Sequence, residues 1–341
     1  MQTLHKLKYQ PPLQKSGFAP QSKSFRTTWE LERCFAAIGI QVKAVQITPG
    51  ELRSTFDIYG SSSLPIFSLH TNQGLVVEGD HNPKMTVVGL EQTDNIALHR
   101  VRGETLNPFS IHGFSSRIKD AYFQMSPGAH TTMAIFKKQR LQDLALIHGE
   151  TRLVDCLDHQ NSLHLQPEHF QQLKTFLRPN SRTDGELQES LIETALMECF
   201  HPEIYLGSSN GESTHQAQLM RDMLLWGLEN PNNAIKLDDL SAIIFASRSS
   251  LVQNCRSTFG MGPMSLMKNI RLGQVQLALN HPEIRKSIGC TSVRSISAHY
   301  GFQNRNHFAR DYRLFFGETG KHRVRPFNAL KPQGFQPNRC R

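Results

Sequence analysis

The sequence predicts an α+β chain of two unlike parts, a strand-rich N-terminal half and an all-helical C-terminal half. Three observations carry that expectation. Short apolar or alternating runs, each broken by turn residues, crowd the region 42–136. Helical periodicity replaces them from about residue 168. Between Leu237 and Arg325 the same pattern then occurs twice: a short helix, a tight turn and a second helix with polar and basic outer positions. At 341 residues the chain is long enough for two separate cores.

Residues 1–27 are polar with scattered prolines and read as a poorly ordered lead-in. Strand-like runs follow at 42–47 before Pro49-Gly50, at 66–69, at 75–78 before Gly79-Asp80, and at 85–90. Further runs lie at 96–101, 108–111, 121–125 before Pro127-Gly128, and 133–136. Short strands at this density imply an antiparallel barrel or sandwich. A helix over 168–177 places Phe170, Leu173 and Leu177 on one face. A second over 184–200 offers Leu187, Leu191, Ala195, Leu196 and Cys199, with Asp184 and Glu186 at its positive end. These runs make 28–200 one unit, and 201–214, with Pro202, Gly207 and Gly211, its linker to the rest.

The helical unit spans 215–325, leaving 326–341 as a frayed tail. One amphipathic helix, 215–228, stops at Asn230-Pro231. Leu237, Leu240 and Ile243 fit a short first helix, and Ser247 caps the next. There Leu251, Cys255 and Phe259 recur every four residues and face inward, which leaves Arg248, Ser249, Ser250, Gln253, Asn254 and Arg256 outside or on the flanks. A connector helix over 264–280 carries Leu266, Ile270, Val275, Leu277 and Leu279, followed by a loop with Pro282 and Gly289. The second unit repeats the plan: Val293, Ile296 and Ala298, a turn at Gly301, and Phe302 as a plug. Phe308, Tyr312 and Phe316 form its inward ladder, with Asn304, Arg305, Asn306, Arg310 and Arg313 outward and His307 as a packing or capping residue.

Charge is split in the same place. Lys plus Arg against Asp plus Glu is 20 to 22 over residues 1–214, a net of −2, and 18 to 7 over the remainder, a net of +11. A basic module of ordered helices faces a polyanion, and paired helix-turn-helix units point to double-stranded DNA. Exposed Gln and Asn pair with adenine, and Arg with guanine or phosphate. Two such helices reading successive major-groove faces sit about 34 Å apart, a separation that a connector helix can set. Lys268, Arg271, Arg285, Lys286, Arg294, Lys321 and Arg323 supply, as a cluster, the salt-dependent attraction to phosphate. The competing reading is a soluble enzyme whose basic C-terminal half binds a structured RNA or an acidic substrate.

Little supports chemistry. The six cysteines have no paired spacing for zinc and read as small buried groups in a reducing cytoplasm. No signal peptide or membrane span is evident, so a cytoplasmic protein with no membrane partner is expected. His70, His81, His99 and His112, with Glu78 and Asp80, do not form a compact ligand motif, so neither metal nor cofactor is expected. Hydrolase, phosphate-loop and dinucleotide motifs are absent, which argues against an enzyme. Phe67, Val77 and Phe123 are candidates for lining an effector pocket, with plain core packing as the alternative.

The C-terminal residues resemble the AraC/XylS-type family of bacterial transcription regulators. The resemblance rests on Leu240-Ser241-Ala242, Ser247 with Leu251, Phe259-Gly260 with Pro263, and Arg271-Leu272. It is most specific in Ile296-Ser-Ala-His-Tyr-Gly-Phe302, His307-Phe308-Ala-Arg310-Asp-Tyr-Arg313 and Phe316-Gly317. It covers about a third of the chain. Departures are Cys255, where the family usually has Phe, and Thr319-Gly320, where it usually has Ser-Pro. A narrower similarity, to regulators of ethanolamine-utilisation operons, lies in Gly260-Met-Gly-Pro263 and Lys268-Asn-Ile-Arg-Leu272. The resemblance implies an effector-responsive activator with a cupin-like N-terminal domain for sensing and dimerisation, a homodimer contact on helices 168–200, a small-molecule effector, and RNA polymerase as a partner.

Overall fold

A computed structural model describes residues 21–318 apart from 81, 83, 116, 119, 148, 150 and 180–184. The N-terminal strands are β1 (Gln21–Phe25), β2 (Val42–Gln46), β3 (Ser54–Gly60), β4 (Pro65–Thr71), β5 (Leu75–Asp80) and β6 (Met85–Glu91). After them come β7 (Arg100–Val101), β8 (Glu104–Thr105), β9 (Ser110–His112), β10 (Asp120–Met125) and β11 (His130–Lys137). The helix α1 (Thr28–Ala37) lies between β1 and β2, started by a capping box in which Thr27 and Glu30 exchange hydrogen bonds. Behind β11 lie α2 (Lys138–Ile147), α3 (Thr151–His159), β12 (Ser162–Leu165), α4 (Pro167–Phe176), α5 (Gly185–Cys199) and β13 (Tyr205–Ser209).

All described strand pairs are antiparallel. They form an eight-stranded sheet, β1-β3-β4-β11-β6-β9-β12-β13, and a five-stranded sheet, β2-β5-β10-β7-β8. Neither closes on itself, which overturns the cupin-like expectation: these are two open sheets rather than a closed barrel. The alternation of side chains that predicted strands is common to both arrangements, whereas closure depends on which edges meet. Phe56, Phe67 and Leu69 of the larger sheet meet Ala44, Leu75 and Val77 of the smaller across a shared core, joined by Leu31, Cys34 and Phe35 of α1. On the larger sheet's far end, Leu163, Leu165, Phe170, Leu173, Leu177, Ile192 and Leu196 build a second core with α2, α3, α4 and α5.

The sequence-based elements 168–177 and 184–200 correspond to α4 and α5, although Asp184 lies outside the described residues. Their buried faces differ from expectation in one respect. Leu187 and Leu191 are exposed, and α5 packs instead through Ile192, Ala195, Leu196 and Cys199, with Gln188 donating to the Phe176 and Arg178 carbonyls. Strand β13 lies within 201–214 and pairs with β12. Strand β1 lies within 1–27 and pairs with β3.

The rest is helical: α6 (His215–Glu229), α7 (Leu237–Ile243), α8 (Arg248–Phe259), α9 (Pro263–Asn280), α10 (Pro282–Ser287), α11 (Val293–His299) and α12 (Arg305–Phe316). The stretch read as a loop after the connector contains α10, with Pro282 in its first turn, where a missing N–H leaves nothing unsatisfied. Two cores hold these helices. The first gathers α6, α7, α8 and the first half of α9 onto Val45, Ile47, Val76 and Tyr122 of the smaller sheet. In the second, Leu272, Val275 and Leu279 meet Ile296, Tyr300, Phe308, Tyr312, Phe315 and Phe316.

The two halves therefore share a core as well as a chain. Arg221 of α6 binds Glu78 at 2.6 and 3.0 Å and Asp120 at 2.9 Å. Gln124 donates to the Thr258 carbonyl at 2.9 Å, and Arg100 to that of Ser257 at 2.9 Å. The second unit is tied as well: Gly50 N–H donates to the Phe315 carbonyl at 2.7 Å, and the Trp29 and His281 rings lie 3.7 Å apart.

Candidate nucleic-acid interface

The helix pairs α7–α8 and α11–α12 are built by the same local hydrogen bonds. At the end of α7, the Ile244, Phe245 and Ala246 N–H groups donate to the carbonyls of Leu240, Ala242 and Ser241. At the end of α11, those of Tyr300, Gly301 and Phe302 donate to Ile296, Ala298 and Ser297. Phe245 and Gly301 thus hold equivalent left-handed positions, at φ 53° and 80°. The second turn then has one more residue before its helix starts.

Both second helices are capped at each end. Ser247 accepts from the Ser250 N–H, and Asn304 from the Asn306 and His307 N–H groups at 3.0 and 3.1 Å. Gly260 and Gly317, both left-handed, close the C-termini. Inside, Leu251, Cys255 and Phe259 anchor α8, while Phe308, Tyr312 and Phe316 anchor α12. Cys255 is fully buried, so the small side chain leaves no opening to solvent.

The expected contact residues fall on the opposite faces. On α8, Arg248, Ser249, Gln253 and Arg256 are exposed, and Ser250 and Asn254 are half-buried with Asn254 Nδ2 donating to Ser250 Oγ at 3.2 Å. On α12, Arg305, Asn306, Arg310 and Arg313 are exposed; Asn304 is exposed too, although its side-chain oxygen is engaged in the cap. Among the described residues Arg256, Arg305 and Arg313 have no ion-pair partner, whereas Arg310 lies 3.4 Å from Asp311. Sequence reasoning missed Asp238, whose carboxylate sits 2.5 Å from Arg248. Both are well exposed, and such a pair is worth at most ~1 kcal/mol, so it opens readily toward an anion.

The wider basic cluster divides by environment. Lys286 and Arg294 are exposed. Lys268 pairs with Asp311 at 3.2 Å. Arg285 is buried and donates to the Ala278 and Leu279 carbonyls at 3.2 and 2.7 Å, capping α9 instead of facing solvent. Arg271 is half-buried, 5.1 Å over the Phe302 ring, and burial lowers its pKa. A Cβ on Gly301 would lie 3.0 Å from Arg271 Nη1 and 3.2 Å from Ala234 Cβ, so Arg271 sits where the second turn meets the loop ahead of the first unit. Lys321 and Arg323 lie outside the described residues.

The N-terminal acids and histidines are separately employed. His99 Nε2 lies 2.9 Å from Glu91 Oε2, inside a network that includes Ser126, Thr93 and Thr131. Burial acts to raise the Glu91 pKa, but the bonds from His99 and Thr93 outweigh it and hold the carboxyl at about 2. Glu78 belongs to Arg221. His81 lies outside the described residues, among which no three His, Cys, Asp or Glu side chains converge as a metal site would require. Phe67 and Val77 are buried core, whereas Phe123 lines an inter-sheet cavity. No described helix is long and apolar enough to cross a membrane.

Comparison with known proteins places the same segment. Residues 240–322 match the family model described as a helix-turn-helix domain. Over 90 residues the chain is 30% identical to the XylDLEGF operon transcriptional activator 2 of Pseudomonas putida. The chain carries a helix-turn-helix domain. The aligned segment is 26% of this chain and spans about half, 55%, of that relative. Among solved structures, a probable AraC family transcriptional regulator from Rhodopseudomonas palustris is 26% identical, with 31% of this chain and 94% of that one covered and a TM-score of 0.28. The AraC-like transcriptional activator CuxR is 12% identical over 73% of this chain and 93% of its own, with a TM-score of 0.37.

Proposed function

We propose that this chain is a sequence-specific DNA-binding regulator of transcription, reading two successive major-groove segments through α8 and α12. One observation carries the reading: two helix pairs with matching turn hydrogen bonds share α9, and each presents a capped second helix with polar and basic side chains outward. The contact set is Arg248, Ser249, Ser250, Gln253, Asn254 and Arg256 on α8, with Asn304, Arg305, Asn306, Arg310 and Arg313 on α12. Gln253 and Asn306 suit base edges, and the arginines suit guanine or phosphate. Exposed Ala309 and Leu314 add apolar groups to α12 that suit thymine methyls.

The further assignments are an activator that engages RNA polymerase, a small-molecule effector, and a homodimer. They are supported by the named relatives, by a cavity between the sheets, and by the exposed Leu187 and Leu191 on α5. The proposed division keeps 28–200 as the sensing and dimerisation unit, 201–214 as the linker and 215–325 as the DNA-binding unit.

Selection of duplexes from a random pool, then electrophoretic competition at physiological salt, tests the function. The selected duplex should survive a large excess of random DNA. Equal competition by random DNA rules the reading out, and RNA preferred over every duplex supports the rival.

A further inference from the structure

Between the sheets, bounded also by α1, lies a cavity of about 130 Å³. That is close to the roughly 150 Å³ that accommodates a benzene ring in an engineered protein core. Its walls are mostly apolar, with Phe35, Val87, Phe123 and Met133 among them. Such a space with a few convergent polar groups is the general form of a small-molecule site.

The polar groups define what fits. His112, on β9, sits against Gly89, where a Cβ would come within 2.7 Å of the ring's Cε1, so the imidazole has its place because residue 89 has no side chain. The ring has no hydrogen-bond partner among the described residues and borders the cavity. It stays neutral, because burial and the neighbouring His99 hold its pKa down to about 4. A neutral imidazole has one donor and one acceptor to offer. The charged groups on the wall discourage an anion. Arg102 is already 2.5 Å from Asp120, and Asp80 is a second carboxylate beside it. Removing a charge from water into this setting would leave it without a free counterion.

The same wall reaches the DNA-binding helices. Asp120 and Tyr122 border the cavity, and Arg221 of α6 holds Asp120 while gripping Glu78 on the adjacent strand β5 and lying over the Tyr122 ring at 5.7 Å. Any displacement of β10 by a bound molecule is felt by one guanidinium that belongs to the DNA-binding half. We infer that this cavity binds an uncharged, mainly apolar molecule of about one ring with a single hydroxyl or carbonyl directed at His112, and that occupancy is transmitted to α6 through the Asp120–Arg221 pair. The cavity assignment stands on its own geometry; only its meaning for transcription rests on the function proposed above.

The test uses the full chain and two probes of one shape, cyclohexylmethanol and cyclohexanecarboxylate. The alcohol should bind saturably with a Kd on the order of 1 mM and raise Tm by about 2 °C near saturation. The carboxylate should do so at least tenfold more weakly. His112→Leu should weaken the alcohol about fivefold, and Met133→Trp, or Val87→Phe where the first fails to fold, should abolish it. Hydrogen exchange of the α6 amides should change with the alcohol in the parent chain. In Arg221→Lys, which keeps a charge but loses the bidentate grip, the alcohol should still bind without changing that exchange. Equal or tighter carboxylate binding, absence of a saturable alcohol signal, or full binding in the filled variants would overturn the site. An α6 response that persists in Arg221→Lys would overturn the coupling. Both arms are read without DNA, so a failure of duplex recognition is a separate result.

Discussion

Phe245 and Gly301 occupy the same backbone position in the two turns, and exchanging their characters should move stability in opposite directions. Phe245 is 94% exposed and left-handed at φ 53°. Removing its ring forfeits almost no burial, and glycine relieves roughly 1–2 kcal/mol of backbone strain. Glycine returns about 0.5–1 kcal/mol of that to the unfolded chain as entropy. Phe245→Gly should therefore stabilise the protein by about 0.5–1 kcal/mol, a rise in Tm of about 1–4 °C. Gly301→Ala carries the same strain with the sign reversed. Its methyl would also crowd Arg271 Nη1 at 3.0 Å and Ala234 Cβ at 3.2 Å. Disturbing Arg271 over Phe302 adds about 1 kcal/mol, for a net loss of about 1–3 kcal/mol. Urea denaturation followed by circular dichroism measures both at 25 °C. If Phe245→Gly loses more than about 1 kcal/mol, or Gly301→Ala is neutral, the equivalence of the turns does not govern their energetics.

Asn304→Ala should cost about 1 kcal/mol through loss of two capping bonds. Asn304→Asp should preserve the cap yet weaken duplex binding by charge repulsion, and a denaturation curve beside a binding titration separates the two roles. Gln253→Ala should weaken the preferred duplex by about 1–3 kcal/mol with little change for random DNA. Arg256→Ala should weaken all duplexes alike and reduce the slope of log affinity against log salt by about 1. Acid stability should fall in two stages. His112, ordinarily at 6.5 and held down to about 4, takes up its proton less readily when folded, so stability is lost as pH falls from 6.5 to 4. Glu91, ordinarily at 4.5 and held at about 2, contributes about 3 kcal/mol above its unfolded value, lost as pH falls from 4.5 toward 2. In urea titrations across pH, His112→Leu should flatten the first stage alone and Glu91→Gln the second.

The helix-turn-helix pairs were legible because their information is local: four-residue spacing at Leu251, Cys255 and Phe259, the Ser247 cap, and a glycine to end each second helix; the cap made by Asn304, read as an outward contact, was missed. The β-sheets were legible as strands but not as an arrangement. A four-residue strand such as β12 has too little pattern of its own, and it exists because β9 and β13 flank it. Arg285 and Arg271 looked like surface charges because composition cannot show that carbonyls or a phenyl ring await them. The contact between the halves left a fainter trace. Leu75-Val76-Val77 is an uninterrupted apolar run, the sign of a strand covered on both faces.

That covering limits how freely the two halves can be recombined. Val45, Ile47, Val76 and Tyr122 lie under the first helix-turn-helix, and Gly50 and Trp29 hold the second. A hybrid protein joined near residue 214 would bring a helical half whose underside is shaped to these strands, and would leave an apolar scar on both pieces. On the function proposed above, transplanting specificity into this chain is better done by exchanging the outward side chains of α8 and α12, and transplanting the N-terminal half requires carrying the outer faces of β2, β5 and β10 with it.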